Sequence, residues 1–198
     1  PLAALATVTE RIKLATGVVN NWIRTSALMA MTLATLHELS QGRIMLGIGA
    51  YWDPLARKQG IRCRKTLTAM RKYVSVVRGL LRLETVTLEG EVVRVADLRL
   101  ALGYDQPQGP IHGPIYIGAT GPRMMGLAGE VGDGIFHCFF TSVDYLTRSL
   151  ERAETGAHGA GRTLRKVDMP QMVSISMSED GEAARHRARH PAPMYIGH

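Results

Sequence analysis

Cysteine is nearly absent from this 198-residue chain: Cys63 and Cys138 stand far apart and belong to no motif. Such a pair frames no disulfide scaffold and reads as two reduced thiols of a cytoplasmic protein. No apolar run approaches the ~20 residues of a bilayer span, which argues against a membrane partner. The seven histidines offer no HxxxH spacing joined by a third partner, so no metal site is expected. GxSxG and CxxC are both missing, and with them any motif for covalent catalysis. Aromatics make up only 6% of residues and do not interleave with the scattered Arg and Lys. That weighs against nucleic acid as a partner. The chain has no low-complexity segment. It also lacks an initiator Met and a closing element after "PAPMYIGH". The expectation is therefore a single incomplete domain, 1–198, truncated at both ends.

What is present is an ordinary globular composition, 45% hydrophobic and 21% charged, long enough for one sizeable core. The formal charge of +7 suits an anionic ligand or simple solubility. Glycine is high at 21 residues, several of them at the ends of apolar runs. Strand-to-loop corners or close approach of a ligand are the two physical reasons for that placement.

The order of elements is repetitive. "LAALATVTERI" reads as a helix with Leu2, Leu5, Val8 and Ile12 on one face. "IKLATGVV" reads as a buried strand. "TSALMAMTLATLHEL" reads as a helix with Thr25 or Ser26 as N-cap. "RIMLGIGA" is a second buried strand, followed by a polar loop and the amphipathic helix "KTLTAMRKYVSVVRGLLR". "ETVTLEGEVVRV", near 84–95, alternates on both sides of Glu89-Gly90 and predicts a β-hairpin. A Pro/Gly loop, "LALGYDQPQGPIHGP", follows. Then come strand "PIYIGA", helix "PRMMGLAGEV", strand "DGIFHCF", helix "VDYLTRSLERAETGA" and strand "DMPQMVSISM". A last helix opens in "SEDGEAARHRAR".

Apolar strands alternating with amphipathic helices imply an α/β fold with a parallel sheet covered by helices. Pattern alone leaves open a doubly wound sheet or part of a (β/α)8 TIM barrel, leaning to the barrel. Ligands sit at the carboxyl ends of the strands in either case. Those ends are "TGVVN", "GIGAYWD", "GATGP" and "HCFF".

Within "GATGPRM", Pro122 suits the first turn of a helix, and Gly118 and Gly121 let backbone amides turn toward a ligand. A helix N-terminus there would offer free N–H donors to a phosphate; the other reading is a tight turn using Gly and Pro for geometry alone. Arg123 adds a cation or is a solvated surface residue. Asp53 before Pro54 reads as an N-cap followed by a first-turn proline. Tyr51 and Trp52 line a substrate mouth or pack beneath their loop. His137 is a proton donor or, more commonly for a lone His, a structural hydrogen-bond partner. The basic run "AARHRARHPAP" reads as a solvated helix face.

Four stretches together resemble the luciferase-like flavin and deazaflavin oxidoreductases. They are "IKLATGVVNNWIRTSALMAMTLATLHELSQGRIMLGIGA", "GIRCRKTLTAMRKYVSVVRGLL", "PIYIGATGPRMMGLAGEVGDGIF" and the hairpin between the last two. The resemblance is closest to the branch that uses coenzyme F420 and includes the methylenetetrahydromethanopterin reductases. It implies a barrel of roughly three hundred residues or more, of which this chain carries about the third to seventh strands. The early strands from which the family often takes an active-site acid or histidine lie outside the chain, so no catalytic residue is assigned.

The same resemblance implies the cofactor contacts. Gly118, Ala119, Thr120 and Gly121 would seat the cofactor phosphate. Gly17-Val18 would be joined by a non-prolyl cis peptide in a bulge backing the ring. Asp53, in the loop after the fourth strand, would reach the ring's polar edge, and Ala50 at that strand's end would be a further cofactor contact. The implied cofactor is F420, with FMN as the alternative, and the implied activity is hydride transfer with an unknown small organic substrate. The other readings are an FMN-dependent monooxygenase and a shortened, non-catalytic flavin-binding protein. F420 carries an acidic oligoglutamate tail, which a basic surface would favour. A partial barrel would expose parallel edges, so homo-oligomerisation or additional chain is expected.

Overall fold

The computed structural model describes residues 1–101, 109–163 and 168–190. Helix α1 is Leu2–Val8, followed by the short strands β1, Leu14–Ala15, and β2, Val19–Asn20. Helix α2 is Ser26–Leu39, strand β3 is Ile44–Gly49, α3 is Asp53–Lys58 and α4 is Thr66–Leu81. The hairpin strands are β4, Val86–Leu88, and β5, Val95–Leu98. Then follow β6, Ile115–Gly118, α5, Pro122–Val131, β7, Gly134–Phe136, α6, Val143–Gly159, and α7, Gly181–Arg189.

The main sheet runs β1–β3–β6–β7, with β2 also on β3, and every pairing in it is parallel. Asp168 and Gln171 continue the order by parallel bridges to Gly134 and His137. Neighbours in space therefore follow chain order with no reversal. A doubly wound sheet reverses at a switch point; a singly wound arc of this kind is the wall of a (β/α)8 barrel. The fold is that of a partial TIM barrel.

Two faces of the arc are filled differently, as the period-two alternation of strands requires. Ile44, Leu46 and Ile48 of β3, Ile115 and Ile117 of β6 and Ile135 of β7 are buried with Met29, Leu33, Met70, Val74, Val77 and Leu127 from the helices. Complete burial of one such side chain stabilises by about 1.5–3 kcal/mol. On the other face, glycines make room for a few large groups. A Cβ on Gly47 would stand 2.0 Å from Thr16 O and 3.2 Å from the Phe136 ring. Thr16 completes this contact: its hydroxyl donates to Gly47 O at 2.7 Å and accepts from Gly47 N at 3.0 Å.

Several elements depart from the sequence expectation. α1 stops at Val8, and only Ala6 is buried, while Leu5, Val8 and Ile12 are exposed. Arg43 ends it by binding the Ala6 and Thr9 carbonyls. The single strand expected over "IKLATGVV" is two short strands separated by a bulge at 16–18. Thr25 is the N-cap of α2, its hydroxyl accepting Leu28 N–H at 3.2 Å. The hairpin is wider than a turn at Glu89-Gly90, with an irregular register and Asp97 at φ 47°.

The loop after β3 contains α3. Asp53 is not its N-cap: Trp52 holds that position, no side chain caps, and the Asp53 carboxylate binds Arg57 instead. "DMPQMVSISM" forms only the two bridges at Asp168 and Gln171, and Val173, Ile175 and Met177 are exposed. Part of the Pro/Gly loop, 102–108, and the end of the basic run, 191–193, lie outside the described residues. Among the described residues, no helix is long and apolar enough to cross a membrane.

Candidate cofactor site

The carboxyl ends of β2, β3, β6 and β7 lie side by side, in register Val19↔Ile48, Gly49↔Gly118 and Gly118↔Phe136. The Gly17-Val18 peptide is cis, as the resemblance implies. Val18 lies across two neighbouring strand ends. A Cβ on Gly49 would meet Val18 Cγ2 at 2.7 Å, and one on Gly118 would meet Cγ1 at 3.2 Å. Side chains at either glycine would displace it. Gly17 in turn lies over the Phe136 ring, with a built Cβ 3.2 Å from Cζ.

β6 leads through Gly118, Ala119, Thr120 and Gly121 into α5. Pro122 occupies the first turn, and Gly121 at the N-cap offers no side-chain hydrogen bond. Its carbonyl accepts from Met124 and Met125. The Gly121 N–H has no partner among the described residues, and a Cβ on Gly121 would meet nothing within 4 Å. α2, α6 and α7 are capped by the side chains of Thr25, Ser142 and Asp180, whereas α5 shares the lack of a side-chain cap with α1, α3 and α4. Arg123 is exposed in the first turn of α5, which carries no acidic residue. A cation at the positive end of a helix dipole is unfavourable by about 0.3–1 kcal/mol unless an anion joins it. Free amides, open space and an uncompensated cation fit a phosphate group.

The remaining predicted residues divide. Ala50 is half-buried, and its carbonyl accepts the Trp22 indole N–H at 3.2 Å, fixing the chain as it leaves β3. Tyr51 follows with φ 65°, a left-handed conformation that non-glycine residues adopt rarely. Asp53 is exposed, and its 2.7 Å ion pair with Arg57 is its contact; no bond joins it to the other candidates. His137 is sealed in, 1% exposed, with neither ring nitrogen partnered among the described residues. Its ring meets Tyr145 edge-on, centroids 5.9 Å apart, and burial pushes its pKa down. It is neither the hydrogen-bond partner expected of a structural histidine nor placed as an open proton donor.

Sequence reasoning missed Tyr145, whose hydroxyl donates to Thr120 O at 2.8 Å. Nothing in "VDYLTRSLERAETGA" beyond an amphipathic period signals a contact with a loop 25 residues earlier. Phe136, Gly49 and Trp22 were likewise unassigned. Only Gly49, a glycine at a strand end, carried a visible signal.

A sequence model of the family described as "Luciferase-like monooxygenase" matches residues 1–197. A singly wound parallel arc with glycines at its carboxyl strand ends is the class the fold defines, and the chain belongs to the luciferase-like family. It is 33% identical over 188 residues to a 5,10-methylenetetrahydromethanopterin reductase of Methanolobus tindarius, covering 95% of this chain and 56% of that one. An F420-dependent glucose-6-phosphate dehydrogenase of Kineococcus radiotolerans is 32% identical over 197 residues, 97% and 57% of the two chains. An F420-dependent secondary alcohol dehydrogenase, solved with an F420–acetone adduct, superposes with a TM-score of 0.83 at 23% identity, covering 99% and 59%. At that identity the superposition speaks for the fold. The chain spans little more than half the length of the curated relatives it matches.

Proposed function

We propose that this chain forms the cofactor-holding part of an oxidoreductase that uses coenzyme F420 and a small organic substrate. One observation carries the reading: the uncapped, glycine-opened N-terminus of α5 adjoins the strand ends over which Val18 lies. When bound, the deazaflavin supplies the carbon that accepts or gives hydride. The chain's own residues hold and orient. Amides around Gly118–Gly121 bind the phosphate, and Arg123 adds a matching charge. Gly17 and Val18 present an apolar surface on which the ring rests, held in place by Gly49, Gly118 and Phe136. Packing of this kind fixes ring and substrate in one geometry and keeps water away.

Ala50 contributes through its position at the end of β3, where its carbonyl is held by Trp22. Asp53 reaches the ring only by leaving Arg57, an exposed pair worth about 0–1 kcal/mol. The same reading takes residues 1–198 to be one part of a single barrel domain. It also takes the protein to be cytoplasmic and homo-oligomeric, without nucleic-acid or membrane partners. The family's description as a monooxygenase favours one second reading, an FMN-dependent monooxygenase, whose FMN phosphate would suit the same loop.

Parallel fluorescence titration of oxidised F420 and FMN at low salt separates the two. Saturable F420 binding with weak FMN binding supports the proposal; preference for FMN overturns it. Binding of either without turnover of any reduced or oxidised substrate would favour a non-catalytic flavin-binding protein.

A further inference from the structure

We infer that Tyr145 is a positioning residue for the cofactor phosphate, acting through the Thr120–Gly121 peptide. The inference rests on the F420 reading above and names a residue that reading does not include. Tyr145 stands in the first turn of α6, its N–H bound by Ser142 Oγ at 3.2 Å and its carbonyl by the Ser149 hydroxyl at 2.7 Å. Its ring is fixed edge-on by His137. Its hydroxyl donates to Thr120 O at 2.8 Å.

The consequence follows from peptide geometry. Among the described residues Gly17-Val18 is the one cis bond, so the Thr120–Gly121 peptide is trans. In a trans peptide the C=O and the following N–H point in opposite directions. Holding Thr120 O toward Tyr145 therefore turns the Gly121 N–H the other way, away from α6, where it has no partner among the described residues. Without that bond no other hydrogen bond among the described residues holds Thr120 O, so the Thr120–Gly121 peptide can tilt and the donor is lost for part of the time.

The frame that carries Tyr145 is itself rigid. α5 and α6 touch backbone to backbone: a Cβ on Gly129 would stand 1.8 Å from Ala153 O, and one on Gly156 would stand 1.9 Å from Gly126 O. The helix whose N-terminus faces the phosphate and the helix that orients the preceding peptide thus form one unit. His137, just past β7, packs edge-on against the Tyr145 ring and limits its swing.

The test uses the intact protein and two ligands, F420 and the phosphate-free deazaflavin nucleoside. Tyr145→Phe keeps the ring and its contact with His137 and removes only the hydroxyl. The expected result is F420 affinity lowered about five- to tenfold, the size of one hydrogen bond. Nucleoside affinity should stay unchanged, and the melting temperature should fall by no more than the few degrees that loss of one hydrogen bond brings. Equal weakening of both ligands would mark a structural role and overturn the inference. Undiminished F420 binding by Tyr145→Phe, with the wild type still preferring F420 to the nucleoside, would overturn the inference alone. Equal binding of the two ligands by the wild type would remove the phosphate reading itself, and the inference with it.

Discussion

Arg43 uses all five of its guanidinium N–H groups. Nε donates to Ser40 O, Nη1 to Thr9 Oγ1 and Ile12 O, and Nη2 to Ala6 O and Thr9 O, at 2.7–2.9 Å. One residue thereby ends α1, anchors the chain that follows it and ties both to the start of β3. Lysine has three donors on a point charge and cannot reproduce the fork. Arg43→Lys is predicted to cost about 1–3 kcal/mol in urea unfolding, the value of one or two bonds to a charged group. His137 sets a pH dependence. Burial depresses its folded pKa below the ordinary 6.5, so the unfolded chain takes up this proton first as pH falls. The contribution is fully present above pH ~6.5 and is lost as pH drops toward the depressed value. Unfolding measured between pH 7 and 5 should show that loss, and His137→Phe should shrink it.

At the scale of elements, the α5–α6 seam and the α5 N-terminus make opposite predictions for the same substitution. Gly129→Ala places a methyl 1.8 Å from Ala153 O, so the helices must separate. Overpacking of this kind costs about 1–3 kcal/mol, more than the ~1 kcal/mol that helix propensity returns. Gly121→Ala meets open space at φ −105° and should leave stability within about 0.5 kcal/mol. It should still weaken F420 several-fold, since the methyl occupies the ligand's side of the loop. Melting curves beside F420 titrations of the two variants check both.

Elements with a strong local signal were legible in the sequence. α2, α4, α5, α6 and the β3 and β6 strands follow from their apolar periods, and "GATGP" from Gly and Pro at a strand-to-helix corner. What was not legible depends on contacts across the chain. The helix in "LAALATVTERI" ends early because Arg43 captures its carbonyls. Asp53 looked like a cap beside Pro54 but sits one residue too late and binds Arg57. "DMPQMVSISM" has the alternation of a strand, yet beyond Gln171 no neighbouring strand pairs with it among the described residues. Alternation records a preference, and a ladder needs a partner.

For the whole molecule, the arc leaves apolar groups bare at both ends: Val8 at 77% exposure near the first strand, Ile175 at 78% and Met177 at 86% past the last. Exposed sheet edges and apolar surface of this kind drive association. The 198-residue chain expressed alone is therefore predicted to sediment as a dimer or larger species. A homogeneous monomer near 21.7 kDa with cooperative unfolding would contradict that. A crystal structure of the protein with oxidised F420 would show where the cofactor lies. The phosphate is expected on the Gly118–Gly121 amides beside Arg123, with the deazaflavin ring against Gly17 and Val18. A ring or phosphate bound away from these strand ends would contradict it.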